Sequence, residues 1–245
     1  MGKLIVVEGV DGAGKNTLAR RLVSAWERDG LDVVRIGFPR YERSIHADLA
    51  AEALRGEHGD LAQSVHAMAM MFALDRRDAA SELRKLLSDN DIVLLDRYVA
   101  SNAAYTAARL HQSEDGEAVG WVETLEFERF GVPVPDVQIL LDVPIELAAE
   151  RAAMREIEDS TRARDAYERD GSLQNRTAEV YGRLAAASWV SPWRVVGPDV
   201  DPDRLAGDDG IPQFVVNDQD FVHPDPARIT RISAAATADA LVKFG

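Results

Sequence analysis

The sequence predicts an α/β fold, a three-layer α/β/α arrangement around a five-stranded parallel sheet. Three observations carry that prediction. Five short apolar runs recur along the 245 residues, and the central ones are nearly continuous in Val, Leu and Ile. Strands covered on both faces must be so, because successive side chains point to opposite faces. Helical segments fill the intervals, as parallel strands joined by right-handed crossovers require. Finally, the first run passes through a glycine-rich turn directly into a helical pattern.

Taken in order, the first strand is Leu4-Ile5-Val6-Val7, beginning at Lys3. The glycine-rich turn follows, then a helix from about Leu18 to Arg28. The second strand spans Asp32 to Phe38. A helix falls within Ser44 to Leu54, and a long one spans about Leu61 to Leu87, with Val65, Met68, Ala69, Phe72 and Leu83 along its apolar stripe. The third strand is Ile92 to Leu95 and the fourth Val137 to Val143, followed by a helix bearing Arg151 and Arg155. The fifth is Trp193 to Val196. Residues 198–224 are rich in Asp, Gly and Pro and read as loop. Asp225-Pro226 then reads as a helix start, with Asp as cap and Pro in the first turn. Ile229, Ile232, Ala236 and Leu241 give that helix an apolar face to pack back on the sheet. The expected organisation is one domain over 1–206, with 207–245 packed on it as a loop plus helix.

Composition excludes several classes. A net charge of −14 argues against a basic nucleic-acid surface. The chain has no cysteine, so no disulfide and no thiolate metal site, which fits a reducing, cytoplasmic setting. No apolar run approaches the roughly 18 residues that cross a bilayer. The first strand begins where a secretory leader would stand.

The turn reads Gly9-Val10-Asp11-Gly12-Ala13-Gly14-Lys15-Asn16-Thr17. Glycines let such a loop aim backbone N–H groups at an anion, and the helix start adds its own N–H groups and positive dipole end. Lys15 can then reach the outer phosphates of a nucleoside triphosphate. Gly9, Gly14 and Lys15 match G-x-x-x-x-G-K-[ST]. Asn16 stands where the hydroxyl is usual, and Thr17 supplies one a residue later. The G-x-G-x-x-G order of a dinucleotide loop is absent. Asp11 is the odd member, since two negative charges about 5 Å apart repel by roughly 3 kcal/mol at an effective dielectric of about 20. Mg²⁺ or a basic group of the substrate would offset that; alternatively Asp11 bonds its own turn.

Ligands of open α/β sheets bind at the carboxyl ends of the strands, and the polar motifs cluster there. Asp96-Arg97-Tyr98 follows the third strand, where an acid holds Mg²⁺ or its water and an arginine can clamp phosphates; an ion pair closing the strand end is the plainer reading. Phe38-Pro39-Arg40-Tyr41 follows the second strand. Phe72 and Arg76 share one helix face. Ser101, Asn102 and Tyr105 come just after the third strand. Phe72 can stack on a flat ring, while Asn102 and Arg76 can read its edge. Arg151 and Arg155, then Arg162, Arg164 and Arg169, suit a lid over a transferring phosphoryl group. Glu150, Glu156, Glu158 and Asp159 are interleaved, and by charge pattern alone a solvated, ion-paired face is the simpler account.

With these residues laid out, the chain resembles the bacterial thymidylate kinases, most closely the actinobacterial type, over about residues 3–205. The resemblance rests on Glu8 to Lys15, Phe38 to Tyr41, Asp96 to Tyr105 and Arg162 to Arg169, four motifs in order and at matching spacing. It implies a P-loop NTPase-type fold with a helical lid at about 151–169. The implied reaction is transfer of the ATP γ-phosphoryl group to dTMP, giving dTDP and ADP, with Mg²⁺ as cofactor and a homodimer as assembly. It implies that Lys15 and the loop from Gly9 to Thr17 hold the ATP phosphates, and that Arg97 bridges donor and acceptor. Phe72 would stack on thymine while Arg76 and Asn102 read its edge. Tyr105 would disfavour a ribose 2′-hydroxyl, and Asp11 with Tyr41 would meet the 3′-hydroxyl. Phe38, Ser101, Asp165 and Tyr167 complete the implied dTMP set. Asp11 and Glu168, with Asp96, form the implied metal set, and Arg151, Arg155 and Arg162 act as lid arginines. The long helix around Met68, Met70 and Met71 is the candidate dimer face. The chain departs from the pattern at Asn16, in its acidic lid, and beyond about Gly207. A kinase for another pyrimidine nucleoside or monophosphate, or a non-catalytic ATP-binding module, are the rival readings.

Overall fold

The computed structural model describes residues 1–158 and 165–208. Arg162, Arg164 and the helix expected after Asp225 lie outside the described residues. Five strands form one parallel sheet: β1 (Lys3–Glu8), β2 (Val33–Gly37), β3 (Ile92–Asp96), β4 (Val137–Leu141) and β5 (Trp193–Val196), in the order β2-β3-β1-β4-β5. Leu4 to Glu8 are buried without a break. Successive residues face opposite sides, so both faces of β1 are covered. The register decides where chemistry can occur. Val7 of β1 and Gly37 of β2 both pair with Asp96 of β3. The segments leaving these three strands therefore emerge side by side at one edge.

The helices are α1 (Lys15–Arg28), α2 (Ile45–Leu54), α3 (Val65–Asp89), α4 (Val99–Arg109), α5 (Glu117–Glu123), α6 (Ile145–Glu158), α7 (Ala166–Arg169), α8 (Gly171–Ala186) and α9 (Pro202–Ala206). The first begins at Lys15, before the apolar stripe that marked its start, because the polar first turn Lys15-Asn16-Thr17 hides the period. The long helix is shorter than expected at its start. Leu61–Gln63 is a separate 3₁₀ turn, and Ser64, whose hydroxyl accepts from the Ala67 N–H at 3.3 Å, opens α3. Helices α4 and α8 were not among the elements expected from the sequence. The former buries a run of alanines, Ala100, Ala103, Ala104, Ala107 and Ala108, whose small side chains let it pack closely on α8. A π-helical turn, Thr124–Arg129, extends α5.

Met68 is fully buried against Ala50, Ala53 and Leu54 and so belongs to the core rather than to an outer face of α3. Among the described residues, no helix is long and apolar enough to cross a membrane.

Candidate active site

The phosphate loop is fixed by close backbone approach. Gly9, Gly12 and Gly14 have φ of 145°, 79° and 102°, values that L side chains rarely adopt. A Cβ on Gly12 would stand 2.0 Å from the carbonyl oxygen of Ala148, in α6. The loop is thus clasped by the helix carrying the candidate lid arginines. From that helix Arg151 Nη1 donates to the Ala13 carbonyl at 3.2 Å. Lys15 lies buried and donates from Nζ to the Val10 carbonyl at 2.7 Å. Burial, with the Arg97 charge added, lowers its ammonium to about 8, against the pull of Asp11 and Asp96. Asn16 and Thr17 are exposed on the first turn of α1.

Arg97 is the hub. It follows β3 with φ 67°, unusual for a non-glycine, and its N–H donates to the Val7 carbonyl at 3.0 Å. Its guanidinium reaches into both halves of the site. Nη2 pairs with Asp11 of the loop, while Nη1 donates to Ser101 Oγ at 3.1 Å and to the Tyr181 hydroxyl at 3.4 Å. Asp11 also accepts from the Tyr105 hydroxyl at 2.6 Å and from Gln174 Nε2 at 3.3 Å. Burial alone would raise the Asp11 carboxyl. Arg97 and then Lys15, with the Tyr105 and Arg97 hydrogen bonds, outweigh it and hold the group well below the usual range. The charge that looks out of place in the sequence is therefore offset by a residue 86 positions away.

Behind the hub lies Glu8, the fully buried last residue of β1. It accepts from the Tyr98 N–H at 2.9 Å, from Ser101 Oγ at 2.6 Å and from the Tyr181 hydroxyl at 2.9 Å. That network ties the start of α4 to the end of β1.

A cleft opens beside the hub, and all ten residues expected to bind the acceptor line it: Phe38, Tyr41, Phe72, Arg76, Arg97, Ser101, Asn102, Tyr105, Asp165 and Tyr167. Asp11, Pro39 and Leu54 complete the wall. Its Phe38 side is anchored by Arg40, whose Nε pairs with buried Asp75 at 2.8 Å. Opposite, the Tyr105 and Tyr167 rings stack with centroids 6.0 Å apart. Arg109 donates to the Tyr167 hydroxyl and to the Ala62 carbonyl, the latter at 2.7 Å. Arg76, itself buried, makes two bonds to Glu126, from Nε at 2.5 Å and from Nη2 at 2.7 Å.

The three acids expected to serve a metal, Asp11, Glu168 and Asp96, are placed differently from one another, and Asp165, outside that set, feels the charge of Asp11. Burial and then the charge of Asp11 raise the Glu168 carboxyl, which accepts from Arg155 Nη2 at 2.9 Å. Asp165 is raised chiefly by burial, while its carboxylate caps α7 through the N–H groups of Tyr167 and Glu168. Asp96 stands apart and pairs with Arg35 of β2 at 3.3 Å. Of the expected lid arginines, Arg151 touches the phosphate loop and Arg155 touches Glu168.

Against known proteins, the model of the thymidylate kinase family matches residues 7–191. A thymidylate kinase of Mycobacterium tuberculosis is 57% identical over 203 residues, which is 83% of this chain and 95% of that protein. The chain belongs to the thymidylate kinase family. More distant members align as well. A probable thymidylate kinase of Thermococcus gammatolerans is 31% identical over 76% of this chain and 84% of its own length. A human thymidylate kinase is 28% identical over 80% of this chain and 82% of its own. All four motifs that carried the resemblance fall inside the family match.

Several residues of this thymidylate kinase site escaped the sequence. Gln174 and Tyr181 come from α8, and Glu126 from the π-helical turn, all far along the chain from the motifs they serve. No local spacing marks them. Only the buried partners Asp11, Arg97, Arg76 and Asn102 show what they do.

Proposed function

We propose that the chain transfers the γ-phosphoryl group of ATP to dTMP, giving dTDP and ADP. Membership of the thymidylate kinase family supports the reaction, and the position of Arg97 supports the assignment of roles. One guanidinium bonds Asp11 of the phosphate loop and Ser101 of the cleft floor. A cation so held supports a role between the donor and acceptor phosphates.

The chemistry asked of the protein is alignment and charge neutralisation, because phosphoryl transfer has a loose, highly charged transition state. In this reading Lys15 and the N–H groups of Gly12 to Thr17 hold the donor phosphates. Arg97 spans the two substrates. Phe72 stacks on the base, Arg76 and Asn102 read its edge, and Tyr105, packed beside Asp11, narrows the space at the sugar. Arg151 and Arg155, on the helix that clasps the loop, bring positive charge over the transferring group and help exclude water.

Asp11 and Glu168, with Asp165 near them, are oxygen donors whose mutual repulsion and burial raise two of the three. Such a donor set fits Mg²⁺. Asp11 and Glu168 are the residues that would hold it, and bound there it would neutralise phosphate charge. Asp96, already paired with Arg35, is the weaker ligand. The family also implies a homodimer, which sedimentation at working concentration reads directly.

The deciding experiment measures ADP formation from Mg-ATP with dTMP, dUMP, thymidine, dCMP or no acceptor. Strong preference for dTMP, with weaker use of dUMP, is expected, since one methyl group discriminates by only about 1–3 kcal/mol. Turnover confined to thymidine would make the chain a nucleoside kinase. ATP binding without turnover on any acceptor would make it a binding module.

A further inference from the structure

Asn102 and Arg76 meet at one buried carboxylate. Glu126 is fully buried and accepts from Arg76 Nε and Nη2 and, at 2.8 Å, from Asn102 Nδ2. The same Nδ2 donates to the Ala69 carbonyl at 3.0 Å. Both acceptors around that amide, an ion-paired carboxylate and a backbone carbonyl, can only accept. An asparagine amide can be turned either way, so its neighbours decide which end faces inward. Here they fix the NH₂ group toward Glu126 and Ala69. What Asn102 has left is Oδ1, an acceptor with two lone pairs, which takes one long bond from the Thr106 hydroxyl at 3.5 Å and keeps the other. Arg76 is complementary. A guanidinium has no acceptor, and with Nε and Nη2 on the carboxylate, Nη1 is the nitrogen left over. Both residues line the cleft.

We propose that Glu126 sets the polarity of base recognition, fixing Asn102 as an acceptor and orienting Arg76, a donor in any setting, so that the site selects a pyrimidine with an N3–H donor and an O4 acceptor over a 4-aminopyrimidine. The inference rests on Arg76 and Asn102 reading the base. Thymine and uracil present N3–H to Oδ1 and O4 to the guanidinium. Cytosine presents the reverse pair, N3 facing an acceptor and the 4-amino group facing donors. Both contacts are then repulsive in a buried setting, where an unmade polar contact weighs most. Without the carboxylate, Asn102 is free to turn its NH₂ to the N3 of cytosine, which relieves one of the two repulsive contacts and lowers the discrimination without abolishing it. The π-helical turn makes the placement possible. Ala118, Val119, Val122 and Leu125 form the buried stripe of this segment, and the turn brings Glu126 inside beside them, with the Phe130 N–H reaching back to the Leu125 carbonyl at 3.0 Å. Glu126 is a positioning residue, acting through Arg76 and Asn102.

The test compares kcat/KM for dTMP and dCMP, with the KM for ATP, in wild type, Glu126→Gln, Glu126→Asp and Asn102→Leu. A site built on buried hydrogen bonds rejects the wrong partner by roughly 10⁴-fold or more, so wild type should prefer dTMP to that degree. Glu126→Gln, which can present its own NH₂ to either neighbour, should cut the preference at least about tenfold while the KM for ATP stays put. Glu126→Asp, still acceptor-only, should keep more of the preference than Gln does. A purely packing role would lower both acceptors equally, and an unchanged ratio in Glu126→Gln would overturn the inference. Asn102→Leu separates the two layers. If it leaves the preference intact, base reading by Asn102 is wrong; if it collapses the preference and Glu126→Gln does not, only the role of Glu126 is wrong. Should Glu126→Gln fail to fold, the side-chain amide of Asn102 in ¹⁵N-labelled wild type decides. Slow-exchanging, downfield NH₂ protons support the fixed orientation, and fast-exchanging, unshifted ones overturn it.

Discussion

The phosphate loop and the acceptor cleft share Arg97, yet they are held by different physics. The loop owes its shape to backbone. Glycines at positive φ let it pass within contact of Leu141 and Ala148, and its carbonyls are held by two cations, Val10 by the loop's own Lys15 and Ala13 by Arg151 of α6. The cleft owes its shape to buried charge. Arg40–Asp75, Arg76–Glu126 and Arg97–Asp11 form its framework, each joining segments at least 35 residues apart. A backbone cradle accepts any phosphate with little regard to what carries it. A lattice of buried ion pairs costs desolvation, and a partner lost from it leaves an uncompensated charge. The donor side is thus built for a generic ligand and the acceptor side for a particular one.

The most forceful way to break this comparison is to remove the residue the two halves share. Arg97→Ala should lower kcat by about 10³-fold or more, the usual scale for an arginine acting on a transferring phosphoryl group. It also strips Asp11 of its main cation. Circular dichroism should still report a folded protein, and a kcat near that of wild type would remove Arg97 from the mechanism. Next comes Arg76→Ala, which asks whether the cleft is stabilised by its pairs. It leaves Glu126 buried and unpaired, at a cost of about 3–5 kcal/mol. For a chain of this size that lowers the melting temperature by roughly 10 °C. The exposed pair Arg28–Asp203 provides the contrast, since Asp203→Ala should shift stability by less than about 1 kcal/mol. Equal shifts for the two would mean that the cleft pairs are no different from surface ones.

The same contrast explains what the sequence disclosed. The sheet was legible because β1, β3 and β4 must be apolar on both faces, and the loop because its glycines, lysine and flanking elements sit within a few consecutive positions. The acceptor residues were legible as motif fragments at strand ends. Their supports were not. Glu126 reads as one more acid in an amphipathic stretch, and Gln174 as a polar position on a helix; each acquires meaning only when folding brings it against Asn102 or Asp11. Helix α4 stayed hidden for another reason: its buried face is periodic but built of alanines, which stand out less than Leu or Val. The basic partner of Asp11 was not legible either, because Arg97 lies 86 positions away and no spacing rule finds it.

The gentlest prediction tests the donor half through Lys15, whose ammonium is lowered to about 8 chiefly by burial. Phosphate binding favours the protonated lysine, so kcat/KM for ATP should be level below about pH 8. Above it the value should fall, approaching tenfold per pH unit, as the free enzyme loses that proton. Stability should move the other way. The folded-state value lies below the ordinary 10.5, so between about 8 and 10.5 the unfolded chain binds more protons and stability rises with pH. Lys15→Met has no such group, so its stability relative to wild type should decline across that window as the penalty of burying the charged amine disappears from wild type. Chemical denaturation of both proteins at pH 7 and pH 9.5 measures the difference. A gap between them that does not change with pH, together with a flat kcat/KM profile to pH 9.5, would show that the lysine is an ordinary solvated cation.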